Sequence, residues 1–308
     1  MSQAQSQAQS QAMSQECEPK PLRCDTAELR RRDFVALSVA AGMAGSAMPA
    51  LAANVVEKDV TIKTADGVCD AAYFHPATGA HAAVIIWTDA FGLRPSMRDM
   101  GRRLAGDGFT VLVPNPFYRV AKSPVYETAA NFDFNDKAQR DKLGPLMGSI
   151  GASGTAERDA QAFVAFLDAQ PEVDKHRKIG TQGYCMGGAL VMRTAAAVPE
   201  RIGAGASFHG GGLVSDKPEA PYLLAPRIKA RMLIAIAGSD DAKQPEAKDK
   251  LRKAFDDAKV NAVVEVFADK HGWCVPDMPK EGDEPIYNRA DAERAWGELI
   301  TLYKSALA

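Results

Sequence analysis

Three stretches of this sequence carry side chains that could together do nucleophilic chemistry. Gly183-Tyr184-Cys185-Met186-Gly187 is a Gly-x-Cys-x-Gly run, the pattern of a nucleophile elbow with cysteine at its centre. On such a turn the sulfur stands between a strand and a helix, and the residues two before and two after it must be small. The helix N-terminus behind the sulfur favours negative charge, and the N–H of Met186 is placed to donate to a developing oxyanion. Read alone, the pentapeptide is equally a buried cysteine in a glycine-rich turn. The Asp240-Asp241 pair and His271 follow later in the chain. A thiol needs a base to hold it as thiolate, and an imidazole needs an acceptor to fix its tautomer. The order nucleophile, acid, histidine is one in which a catalytic triad can be strung along a chain.

The elements that must position these groups are legible from the hydrophobic pattern. Val55–Thr64 and Val68–His75 flank Ala65-Asp66-Gly67 and read as a hairpin. Ala82–Trp87 is a continuous apolar run, the sign of a strand buried on both faces. Phe109–Val113, the run into Gly183, Ile202–Phe208, Arg231–Ala237 and Val263–Ala268 complete the strands. Helices are predicted around Met97–Leu104, over Ala156–Ala169, from Ala189 onward, over Pro245–Ala258 and over Arg289–Leu307. Alternation of this kind gives an α/β fold: a mainly parallel, doubly wound sheet with helices on both faces. Its sites lie at the carboxyl ends of strands, where Cys185, Asp240-Asp241 and His271 all fall. From 117 to 154 no clean period is visible, and an insertion of that length is expected to serve as a lid or pocket wall.

The chain has 308 residues, 46% of them hydrophobic, and a net charge of −2. That suffices for one α/β domain, expected over 53–308. No basic stripe suggests nucleic acid as a partner. Five cysteines without a CxxC pair argue against a structural zinc or thioredoxin-like site. No metal or other cofactor is expected, and whether Cys69 and Cys274 pair is open. Residues 1–29 open on a Ser-Gln-Ala repeat and read as disordered. Arg30-Arg31-Arg32-Asp33-Phe34, a modest apolar run to Met48 and an Ala-x-Ala site then make an export signal of twin-arginine type. Cleavage after Ala52 is expected, giving a periplasmic or secreted protein with no membrane anchor and the twin-arginine machinery as a partner in transit.

The set resembles the dienelactone hydrolase family of α/β-hydrolases over most of residues 55–305. Gly183-Tyr184-Cys185-Met186-Gly187-Gly188 is similar to that family's Gly-Tyr-Cys-x-Gly-Gly, and Asp89-Ala90-Phe91-Gly92 to its Glu-x-Phe-Gly loop. The resemblance implies Cys185 as nucleophile and His271 as general base and acid. It implies Asp240 as triad acid, with Asp241 the alternative, and an oxyanion hole from the N–H groups of Met186 and Ala90. Asp89 is implied to be the extra carboxylate that contacts the resting thiol, one methylene shorter than the family's glutamate. The family's arginine after the histidine, which grips a substrate carboxylate, is missing from Gly272-Trp273-Cys274-Val275-Pro276-Asp277. Arg119 or Arg140 could replace it, although each also reads as a surface arginine. Phe91, His209 and Trp273 line the pocket or belong to the core. The expected activity is hydrolysis of a small ester or lactone through an acyl-enzyme. The rival expectation is a periplasmic binding protein that keeps the pocket without turnover.

Overall fold

The computed structural model describes residues 54–308, so the export-signal reading of 1–52 lies outside the described residues. Eight strands form one sheet in the order β1-β2-β4-β3-β5-β6-β7-β8. They are β1 (Val55–Thr64), β2 (Gly67–Pro76), β3 (Ala83–Trp87), β4 (Thr110–Pro114), β5 (Ile179–Tyr184), β6 (Ile202–Phe208), β7 (Arg231–Ala237) and β8 (Ala262–Phe267). The hairpin β1–β2 and the β2–β4 pair are antiparallel. Every pairing from β4 to β8 is parallel. This is the mainly parallel α/β sheet that the alternation predicts, in the strand order of the α/β-hydrolase fold that the resemblance implies.

The buried strands explain the continuous apolar runs. All five residues of β3 are buried, and so are all five of β4. Ala83, Ile85 and Trp87 face one core cluster, while Val84 and Ile86 face the other. Val84, Ile85 and Ile86 each contribute roughly 1.5–3 kcal/mol through burial. The first cluster lies under α2 (Lys137–Gly151), α3 (Thr155–Asp168), α4 (Met186–Ala197) and, after the one-turn helix α5 (Gly238–Lys243), α6 (Ala247–Asp257). The second lies under α1 (Pro95–Gly106) and α7 (Arg289–Ala306). Cys69 belongs to the first cluster and Cys274 to the second, and both are free thiols. The sheet stands between them. Among the described residues no helix is long and apolar enough to cross a membrane.

The longest element the periodicity did not predict is α2, inside the 117–154 stretch. It starts at Asp136, whose carboxylate accepts the Ala138 N–H at 2.8 Å. Only Leu146 and Ile150 are buried along it, and Pro145 lies within it. An exposed helix with two anchors leaves almost no hydrophobic stripe to read.

Candidate active site

The end of β5 and the start of α4 meet at Cys185, which has φ 52° and ψ −116°. Such a conformation costs a non-glycine residue about 1–3 kcal/mol and persists only where its surroundings enforce it. The surroundings here are two close backbone approaches. A Cβ on Gly183 would lie 2.2 Å from the Gly187 carbonyl oxygen, and one on Gly187 would lie 2.5 Å from the Trp87 carbonyl oxygen. The glycines therefore let α4 seat against both β5 and the exit of β3. That seating brings Met186 and Ala90 to the same end of the sheet. Neither N–H has a hydrogen-bond partner among the described residues, as donors reserved for an incoming oxyanion would require.

The loop after β8 carries His271. Its Nδ1 lies 2.6 Å from Oδ2 of Asp240, and its backbone N–H donates to Ser239 Oγ at 2.9 Å. Of the two adjacent aspartates, only Asp240 faces the imidazole. The Asp241 carboxylate instead accepts Lys248 Nζ at 2.7 and 2.8 Å. Burial opposes a charge on His271, but hydrogen bonds and attraction from Asp240 and the Cys185 sulfur outweigh it and raise its pKa to about 10. Both partners favour the protonated ring, so losing either lowers the pKa. In NMR titrations the wild-type ring should stay protonated through pH 8. Asp240→Asn and Cys185→Ala should each titrate at lower pH. A wild-type midpoint near 6.5 would show that the three groups do not interact.

His209 lies beside this pair and is buried. Its Nδ1 accepts the Cys185 N–H at 3.1 Å, and its ring meets His271 edge-on with centroids 4.7 Å apart. Burial and the neighbouring His271 charge hold its pKa well below the ordinary value. It is a neutral imidazole carrying its proton on Nε2. Trp273 is fully buried and stacks on Phe267 at 4.8 Å, so it forms core beneath the site rather than an open pocket wall. Phe91 is also buried, packed edge-on against Tyr126 and Phe132. It links the Ala90 loop to the inserted segment.

Asp89 is placed differently from the expectation that it touches the thiol. Its two oxygens accept Arg94 Nη1 and Nη2 at 2.7 and 2.9 Å, and Oδ1 also accepts the Phe91 N–H at 2.9 Å. A bidentate guanidinium with no solvent exposure is the stronger partner. No hydrogen bond joins Asp89 to Cys185 among the described residues. Arg94 also grips Asp277, with Nε at 2.8 Å and Nη2 at 2.7 Å. Arg94, Asp277 and Ser239 are the polar groups that sequence reasoning missed, and no local motif marks them. Arg119 is committed to Asp66 and Asp159, and Arg140 donates to the Phe134 carbonyl.

An open sheet of this order, with a strained residue at the β5–α4 turn and a histidine beyond β8, defines an α/β-hydrolase. The dienelactone hydrolase family model matches residues 69–307, and the chain belongs to that family. It is 25% identical over 237 residues to a "Putative carboxymethylenebutenolidase" of Synechocystis sp., covering 75% of this chain and 89% of the relative. A carboxymethylenebutenolidase of Pseudomonas sp. strain P51 is 34% identical over 122 residues, 39% of this chain and 47% of the relative. Among solved structures, "m3DLH" superposes with a TM-score of 0.67 at 23% identity, covering 82% of this chain and 99% of that one. The dienelactone hydrolase of Anabaena variabilis gives 0.53 at 17% identity, with 82% and 99% covered. These likenesses place the protein in a family of hydrolases.

Proposed function

We propose that the protein hydrolyses a small ester or lactone through a Cys185–His271–Asp240 triad and an acyl-enzyme. The observation that carries the reading is the joint placement of the strained Cys185 and the Asp240-bound His271. In acylation the Cys185 sulfur bonds to the carbonyl carbon, and the Met186 and Ala90 N–H groups hold the oxyanion. The carbon–oxygen bond then breaks as His271 gives its proton to the leaving alkoxide. Water adds to the thioester with His271 taking a proton, and the thiolate leaves as the acid departs. A thiolate is itself a good leaving group, so enol esters and lactones suit this site better than amides.

The test is turnover of p-nitrophenyl acetate and a panel of small lactones by residues 53–308, before and after iodoacetamide. Turnover that disappears on alkylation of Cys185 supports the triad. A protein without turnover and with an inert Cys185 thiol would instead be a binding protein on the same fold. For residues 1–52 we propose export through a twin-arginine signal, on the strength of the Arg-rich, apolar and Ala-x-Ala order alone. Mature protein recovered from the periplasm should begin at Ala53. Recovery of the full chain from the cytoplasm only would refute the export reading.

A further inference from the structure

Arg94 sits where three segments of the site converge, and its contacts are unusual for a side chain with no solvent exposure. It holds Asp89 by two hydrogen bonds and Asp277 by two more, with a further contact to the Gly92 carbonyl at 3.3 Å. Each carboxylate continues the chain of contacts. Asp89 accepts the Phe91 N–H at 2.9 Å, so both residues flanking Ala90 are fixed. Asp277, six residues beyond His271, accepts the Ala129 N–H at 3.1 Å and the Thr128 hydroxyl at 3.3 Å from the inserted segment. One planar guanidinium with a fixed fork of donors therefore joins the oxyanion loop, the histidine loop and the insertion. A surface ion pair would give no such fixity, because solvent screens it and its side chains move.

We propose that Arg94 is a positioning residue for the oxyanion hole, acting through Asp89 and Phe91 to aim the Ala90 N–H. Asp277 is its counterpart and ties that aim to the insertion over Thr128–Ala129. The inference rests on the ester-hydrolysis reading above and departs from the role the family resemblance gives Asp89. Asp89 here orients a backbone donor and does not activate the thiol. The geometry separates two reactions of the same sulfur. Acylation by an ester builds an oxyanion and needs the Ala90 N–H. Alkylation by iodoacetamide displaces iodide at a saturated carbon and builds none.

The experiment compares the acylation rate with p-nitrophenyl acetate and the Cys185 alkylation rate with iodoacetamide, at one pH and well below the unfolding temperature. The variants are Arg94→Gln, Asp277→Asn and the double variant Asp89→Asn/Arg94→Gln. The double variant removes opposite charges together and so stays measurable where Arg94→Gln alone, which strands two carboxylates, does not fold. Acylation should fall about 10–100-fold, less than the 10²–10³ seen when an oxyanion donor is deleted outright. Alkylation should stay within about twofold of wild type. Parallel loss of both rates would overturn the proposal, because it would place Asp89 or Arg94 in control of the thiol itself. Unchanged acylation in Asp277→Asn and in the double variant would overturn it as well. A wild-type protein that alkylates but never acylates would refute the ester-hydrolysis reading first, and this proposal with it.

Discussion

Cys185→Ala should abolish ester turnover, with kcat/KM falling by at least about 10⁴, the scale seen when the nucleophile of an acyl-transfer triad is removed. Cys185→Gly should lose as much. The two variants are expected to differ in stability, and that difference tests why the site is built as it is. At φ 52° and ψ −116° the backbone of residue 185 is strained for any side chain with a Cβ. Alanine keeps the strain and glycine relieves it. Cys185→Gly should therefore be the more stable of the pair by about 1–3 kcal/mol, which at about 2–4 °C per kcal/mol for a domain this size is readily seen in a melting curve. Neither variant has a sulfur, so the comparison isolates the backbone from any interaction between Cys185 and His271. Equal melting temperatures would mean that residue 185 carries no strain. Turnover surviving in either variant would mean that the sulfur is not the nucleophile.

The same chemistry explains what the sequence made legible. Strands buried on both faces appear as unbroken apolar runs, so Ala82–Trp87 reads as a central strand and is one, one residue shorter. The elbow is legible because its two glycines stand two residues either side of Cys185, although only the 2.2 Å approach of Gly183 to the Gly187 carbonyl is local and Gly187 itself meets the distant Trp87 carbonyl at 2.5 Å. The choice between Asp240 and Asp241 was not local. Neighbouring residues point in different directions from the turn of α5, and Lys248, the second residue of α6, takes the second carboxylate. Arg94 and Asp277 are 183 residues apart, and a buried ion pair leaves no periodicity in either segment. The resemblance points Asp89 at the thiol because a motif shows which residue is present but not which partner competes for it. The fully buried guanidinium five residues on decides that competition.

Gly187→Ala should lower kcat on the order of 10²-fold, the effect of losing one oxyanion donor, with KM changed far less. By helix propensity alone the substitution would stabilise α4 by about 1 kcal/mol. Packing reverses that sign. The new Cβ would lie 2.5 Å from the Trp87 carbonyl oxygen and 2.7 Å from that of Thr88. Both atoms are backbone and cannot swing aside, so the first turn of α4 must retreat by about half an ångström from the exit of β3. Overpacking of this kind costs about 1–3 kcal/mol, which exceeds the propensity gain. The retreat also divides the oxyanion site, because Met186 moves with α4 while Ala90 stays with β3. Gly297→Ala provides the control, since it lies in α7 and a Cβ there meets nothing within 4 Å. That variant should gain about 1 kcal/mol and keep wild-type kinetics. If Gly187→Ala behaves like Gly297→Ala, with raised stability and unchanged kcat, then the close seating of α4 on β3 does not set the distance between the two oxyanion donors.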